Sequence, residues 1–380
     1  MISILRLAWF YLRFHPWKTG LQVTAVMLVL AVPGILWTLA RQGEHHLTER
    51  AAKTPLLIGS RGSPLELTLN SLYFRSDPLP PMKFGEVKRI EESGLGDPIP
   101  LYVRFKSQRD PVVGTAPEYF PFRGLRLKEG DGLGRLGDCV AGSRVAARRG
   151  IKTGDFVVSS PEQAFDVAGV MPLRMRVTGV LAESGTPDDD AIFTSLRTTW
   201  VIAGIGHGHE NPDMEHAVPG ATPTYMEVTD ANVNTFHFHG NRDDFPVSAL
   251  IVMPGDEKSA TRLIGRYQSP ENPLQIVEPD RVMSGLLDTV VTIRAFALAA
   301  LALVGLATVL LLGVLQALSF RIRRREIEIL HQLGASRWRV RMLLASDAAG
   351  VFFLGALLAA GLTLLASGFG PATIRGLMSR

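Results

Sequence analysis

Five of the chain's nine histidines crowd into one interval, at spacings suited to metal ligation. The run "GHGHENPDMEH" carries His207, His209 and His216, and "FHFHG" carries His237 and His239. Side chains two positions apart on an extended chain point to the same face. Each H-x-H pair can therefore present two imidazoles side by side. Imidazole suits Zn²⁺ or Cu²⁺, and Glu210 or Asp213 stands near enough in sequence to add a carboxylate oxygen. The competing reading is a polar surface loop, partly paired to Asp243 and Asp244.

A second chemical feature is a carboxylate set among apolar residues. In "RRREIEILHQLGASRWRVR", which begins at Arg323, a helix puts Ile322, Glu326, Ile329 and Leu333 on one stripe. Arg321, Arg325, Glu328 and Gln332 lie mostly to one side of it. Gly334 suits the position that ends a helix, and Ser336 suits the cap of the next. An apolar stripe holding one carboxylate is a surface for docking on a protein. Arginines alone would fit a simple contact with lipid headgroups; Glu326 within the stripe would not.

Other chemistries find little support. "GLGRLG" at Gly132–Gly137 matches the dinucleotide spacing, but such a site needs a preceding strand and a helix after it; "RLKEGD" precedes it here and the segment is expected outside the cytoplasm, so these read as turn glycines. The chain has no P-loop, no G-x-S-x-G elbow and no H-E-x-x-H zinc motif. Its single cysteine, Cys139, rules out an internal disulfide and any C-x-x-C site. No nucleophile–base constellation is present, so a non-catalytic role is expected. The net charge of +4 is small and the arginines are local, which gives no footprint for nucleic acid.

The elements that must position these groups follow from hydropathy. Thr19–Ala40, Ala295–Phe320 and Ala348–Gly370 carry no charge. Each is long enough to cross a bilayer, which needs about 20 apolar residues. Arg6, Arg13 and Lys18 precede the first run, and Arg321, Arg323, Arg324, Arg325, Arg337, Arg339 and Arg341 lie between the second and third. The positive-inside rule places both groups in the cytoplasm. The residues from about Arg41 to Arg294 are then extracytoplasmic, and the C-terminus of this sequence lies outside. The first eighteen residues, aromatic and basic, read as an amphipathic interfacial helix broken at Pro16.

The expected organisation is an interfacial helix over 1–18, spans over 19–40, 291–320 and 343–370, an outer domain over 41–290, a cytoplasmic hairpin over 321–342 and a tail over 371–380. Strand patterns start at Pro100, Leu173 and Ser248. Helical patterns start at Lys83 and Val140, the latter with Ser143 as its cap and Gly150 as its stop. Strands and helices do not alternate regularly, so the outer domain reads as α+β on a membrane α-helical anchor.

The arginine-rich stretch resembles the hallmark of FtsX/MacB-type ABC transporter permeases. Arg325, Glu326, Ile327, Leu330, Leu333, Gly334, Ala335 and Ser336 carry the likeness. "VGTAPEYF" from Val113, "VAGSRVAARRGIKTGDFV" from Val140 and "VTGVLAESGTPDDDAIFTSL" from Val177 resemble that family's periplasmic core domain. The resemblance implies a permease subunit in the cell inner membrane, acting as a homodimer or heterodimer. It implies that Arg325, Glu326, Ile329, Leu330, Leu333, Gly334, Ala335 and Ser336 form a coupling element gripped by a separate cytoplasmic ABC ATPase. ATP would bind that partner, and no cofactor this chain directly, apart from the candidate Zn or Cu. A periplasmic or lipoprotein partner is a further expectation. The alternative is a membrane-anchored sensor or scaffold without transport activity. Family members usually have four spans, whereas this sequence ends at "GPATIRGLMSR" after the third; a natural three-span variant and a missing C-terminus both fit.

Overall fold

The apolar alternation that starts at Leu173 folds as a strand. Leu173, Met175 and Val177 are fully buried, while Arg174, Arg176 and Thr178 face outward to varying degrees. A computed structural model describes residues 10, 13–14, 16–75, 77–160, 172–208, 225–322, 328–329, 332 and 336–378. It divides into two units, Met1–Leu47 with Leu286–Arg380, and Thr48–Gly285.

Helix α1, Pro16–Ala52, opens on a proline, whose missing N–H costs nothing at a helix start. Beyond it lie β1 (Leu56–Ser60), α2 (Pro64–Tyr73), β2 (Met82–Lys83), α3 (Gly85–Ser93), β3 (Gly96–Ser107) and β4 (Asp110–Thr115). The chain continues through α4 (Tyr119–Arg123), β5 (Leu127–Gly130), β6 (Asp138–Ala141), α5 (Ser143–Arg149), β7 (Phe156–Val158) and β8 (Leu173–Leu181). Next come β9 (Ile192–Ser195), α6 (Leu196–Ile202), β10 (Gly206–His207), β11 (Met226–Glu227), β12 (His237–Phe238), β13 (Pro246–Val247) and β14 (Ala249–Pro254). The last elements are α7 (Glu257–Tyr267), β15 (Leu274–Val277), α8 (Pro279–Ile322) and α9 (Arg337–Met378).

The central sheet runs β11-β8-β6-β9-β4-β3-β14-β1-β15, with β5 and β7 also paired to β8. It mixes parallel and antiparallel neighbours: β4 with β9 and β6 with β8 are parallel, and most of the rest are antiparallel. Helices cluster between strands without βαβ regularity, which is an α+β architecture. Local chemistry sets several ends. The Ser63, Ser195 and Asp256 side chains accept from Glu66, Thr198 and Ser259 amides to cap α2, α6 and α7.

Helix α5 corrects one reading. Gly150 ends it in the left-handed conformation, as expected, but Ser143 is its first residue and Gly142 takes the cap position with no side-chain bond. A Cβ on Gly142 would meet the Asp188 carbonyl oxygen at 2.4 Å, so the chain must use glycine where a serine cap would clash. The "GLGRLG" segment leads into strand β6, with no helix to meet a pyrophosphate, consistent with turn glycines.

Among the described residues, two helical stretches are long and apolar enough to cross a membrane, Pro16–Thr38 and Ala348–Gly368; in α8 the apolar stretch Leu298–Leu311 is shorter. Helices α1 and α9 pack closely through small residues. A Cβ on Gly355 would meet Val26 at 2.7 Å, and one on Gly34 would meet Thr363 at 3.0 Å. Val23, Val26 and Val351 are buried at this contact. Close approach through small residues is how helices associate where lipid supplies no hydrophobic drive.

Candidate functional site

The Thr48–Gly285 unit holds two arrangements that its core positions tightly. The first rests on Trp200 of α6. Its indole N–H donates to the Pro246 carbonyl at 2.8 Å, and Phe84, Phe245 and Phe238 surround it at centroid distances of 5.3, 5.0 and 6.4 Å. Phe238 belongs to β12, so this aromatic cluster fixes one face of that strand.

Strand β12 pairs antiparallel with β10, with Gly206 opposite Phe238 and His207 opposite His237. The facing segments read G-H-G and F-H-F-H. Phe236 and Phe238 lie across the glycines: a Cβ on Gly206 would meet the Phe238 ring at 2.6 Å, and one on Gly208 the Phe236 ring at 2.5 Å. Alternation sends the intervening histidines to the other face. His207, His237 and His239 therefore converge, with ring centroids 4.6, 4.7 and 4.9 Å apart. One ligating nitrogen from each lies within 4.8 Å of the others. The His237 Nδ1 lies 3.2 Å from the Thr235 carbonyl, and the His239 amide donates to the Ile205 carbonyl. Two of the three rings are half-buried and His239 is exposed. The structure thus brings His207 together with His237 and His239; His209 and His216 lie outside the described residues.

Gly206 makes a testable requirement. Gly206→Val would drive two extra methyls into the Phe238 ring, and overpacking of this kind costs about 1–3 kcal/mol. The expected result is a lower melting temperature for the variant, measured by fluorescence of the purified chain; an unchanged value would show that Phe238 can move aside freely.

The second arrangement is a buried charge network. Arg50, in the last turn of α1, donates from Nη1 to Asp188 Oδ2 at 2.5 Å and from Nη2 to Asp188 Oδ1 at 2.9 Å and Tyr119 Oη at 2.8 Å. The Tyr119 hydroxyl donates to Asp188 Oδ1 at 2.7 Å, and Thr186 Oγ1 donates to Oδ2 at 2.9 Å. The Arg50 and Asp188 side chains are 5% and 1% exposed. Burial pushes the Asp188 carboxyl up, but the Arg50 charge and the hydrogen bonds from Arg50 and Tyr119 outweigh it and hold the group below the usual carboxylate range. Burial raises the Tyr119 phenol, and its hydrogen bond to Asp188 adds to that. The sequence reading missed this network; its only traces were Tyr119 within "VGTAPEYF" and the Asp run at 188–190.

Of the residues expected from the sequence to dock on a partner, Ile329 is exposed, and Ser336 sits directly before α9. Arg325, Glu326, Leu330, Leu333, Gly334 and Ala335 lie outside the described residues.

Comparison with known proteins finds a match to the C-terminal part of the chain. Residues 298–375 match the family described as FtsX-like permease C-terminal. Among solved structures, the periplasmic region of MacB from Actinobacillus actinomycetemcomitans is similar at 12% identity and a TM-score of 0.36, covering 63% of this chain and 97% of that one. The extracellular domain of the noncanonic ABC-type transporter YknZ from Gram-positive bacteria is similar at 12% identity and a TM-score of 0.33, covering 58% and 98%. No curated protein matches the sequence significantly.

Proposed function

We propose that this chain is the permease subunit of an ABC-type transport or mechanotransmission complex in a cell membrane. The observation that carries the reading is the match of residues 298–375 to FtsX-like permeases. It coincides with the arginine-rich stretch that resembles their coupling element. In this reading the chain is non-catalytic. A separate cytoplasmic ATPase hydrolyses ATP and grips the 321–342 hairpin, and two permease subunits, identical or different, are drawn together as the ATPase closes.

The reading needs α8 to cross the membrane as a third span. The sequence supports this, because Ala295–Phe320 is free of charge and lies within the helix Pro279–Ile322. It also needs the arginine-rich loop inside and the sheet domain outside. A reporter fused after Arg339 is expected to read cytoplasmic, and one inserted in the exposed turn at Gly132 to read external. Both on one side of the membrane would overturn the topology.

The deciding experiment is co-purification with an ATP-binding subunit and measurement of ATP hydrolysis. Stable capture with stimulated hydrolysis is expected. An ATPase whose rate and retention ignore this chain would leave the sensor or scaffold reading.

A further inference from the structure

We propose that His207, His237 and His239 form a binding site for one Zn²⁺ ion, supplying its three ligands among the described residues. The argument rests on the strand pairing and is independent of the role of the hairpin. Three imidazoles from two strands share one face because the opposite face is committed to Phe236 and Phe238. Tetrahedral Zn²⁺ with bonds of about 2.0–2.1 Å needs nitrogens about 3.3 Å apart. The three ligand atoms already lie within 4.8 Å of one another. The remaining contraction is within reach of small ring rotations on partly exposed side chains.

The donor set narrows the ion. Among the described residues it is all imidazole nitrogen: the chain's one thiol, Cys139, is buried in β6 of the central sheet, and β10 and β12 form a separate sheet. Nitrogen-only sites suit Zn²⁺ and Cu²⁺ rather than Ca²⁺ or Mg²⁺, which take oxygen. The backbone supports the rings from behind, with the Thr235 carbonyl beside His237 Nδ1 to orient that imidazole for ligation through its other nitrogen.

The ion would also act as a clasp. His207 lies on one side of the 208–236 segment and His237 and His239 on the other, so a bound ion ties the two ends together beyond the short β10–β12 pairing. Metal binding and the pairing of β10 with β12 are then linked.

The test uses the full-length chain in detergent, purified without a histidine tag and stripped with chelator. Titration calorimetry near neutral pH is expected to show one Zn²⁺ per chain. Any one of the three histidines changed to Ala should weaken binding at least about tenfold, by analogy with the 10–100-fold losses at supporting residues of metal sites. His45→Ala with His46→Ala should leave it unchanged. Co²⁺ bound to the unmutated chain should give the intense visible bands of a tetrahedral nitrogen site, a readout that needs no variant to fold. No saturable Zn²⁺ binding, undiminished binding in the His207→Ala, His237→Ala, His239→Ala variant, or an octahedral Co²⁺ spectrum would each overturn the proposal.

Discussion

Arg50→Ala will destabilise the outer unit by about 3–5 kcal/mol, the cost of stripping a buried carboxylate of its charge partner. The variant leaves Asp188, 1% exposed, with the Tyr119 and Thr186 hydroxyls and the Arg123 charge, but without its directly bonded guanidinium. Thermal melting of the full-length chain measures the loss. Replacing both ends, Arg50→Met with Asp188→Leu, should restore much of it, since a well-packed apolar pair often equals or exceeds a buried ion pair. A loss under about 1 kcal/mol in Arg50→Ala, the level of a surface pair, would refute the burial argument. Acid gives a second handle. The Asp188 carboxyl is held below its unfolded value near 3.9, so its contribution is complete above that pH and is lost as pH falls through the depressed native value. The Asp188→Asn chain should therefore start less stable and lose less on acidification.

Glu326→Ala is expected to release the ATPase. On the proposed coupling hairpin, helical spacing in the sequence would put Glu326 on one stripe with Ile322, Ile329 and Leu333, where a carboxylate is costly to desolvate unless a donor on the partner satisfies it. Removing one member of a buried charge pair at an interface costs on the order of 2–5 kcal/mol, which is about thirty-fold to a few thousand-fold in affinity. Glu328, two residues on, is exposed. Its replacement by Ala should cost little, as surface charges do. The measurement is retained complex and ATP hydrolysis for both variants. Equal losses would mean the stripe is not the docking face, and no loss in either would favour contact with lipid alone.

Local signals in the sequence were legible where one segment carries its own instructions. The alternation at Leu173 sufficed for β8, and Gly150 for the end of α5, because strand faces and left-handed caps are set within a few residues. Groups that meet only through tertiary structure were not legible. His207 was grouped with His209 by adjacency, yet its partners on the described chain are His237 and His239, and only the β10–β12 register brings them together. Arg50 and Asp188 are 138 positions apart, and although Asp188 lies in the family-like stretch from Val177, nothing in that stretch points to Arg50. Ser143 failed as a cap for the same reason: the Asp188–Asp189 backbone that demands glycine at 142 arrives from a distant turn. Periodicity reports what a segment buries, not what it buries against.

Cys139 lies wholly inside the sheet, paired across to Thr194 and Val177, and burial pushes its thiol well above the ordinary range, with the Asp138 charge adding to it. Thiol reagents act on the thiolate of an accessible cysteine. The natural chain should therefore be silent to maleimides and to oxidants while folded. Any cysteine introduced at the surface becomes the sole reactive handle without first removing the native one. A pair of spin labels or dyes on the outer unit could then report distances in the intact complex during turnover, and labelling of Cys139 itself would serve as a clock for unfolding.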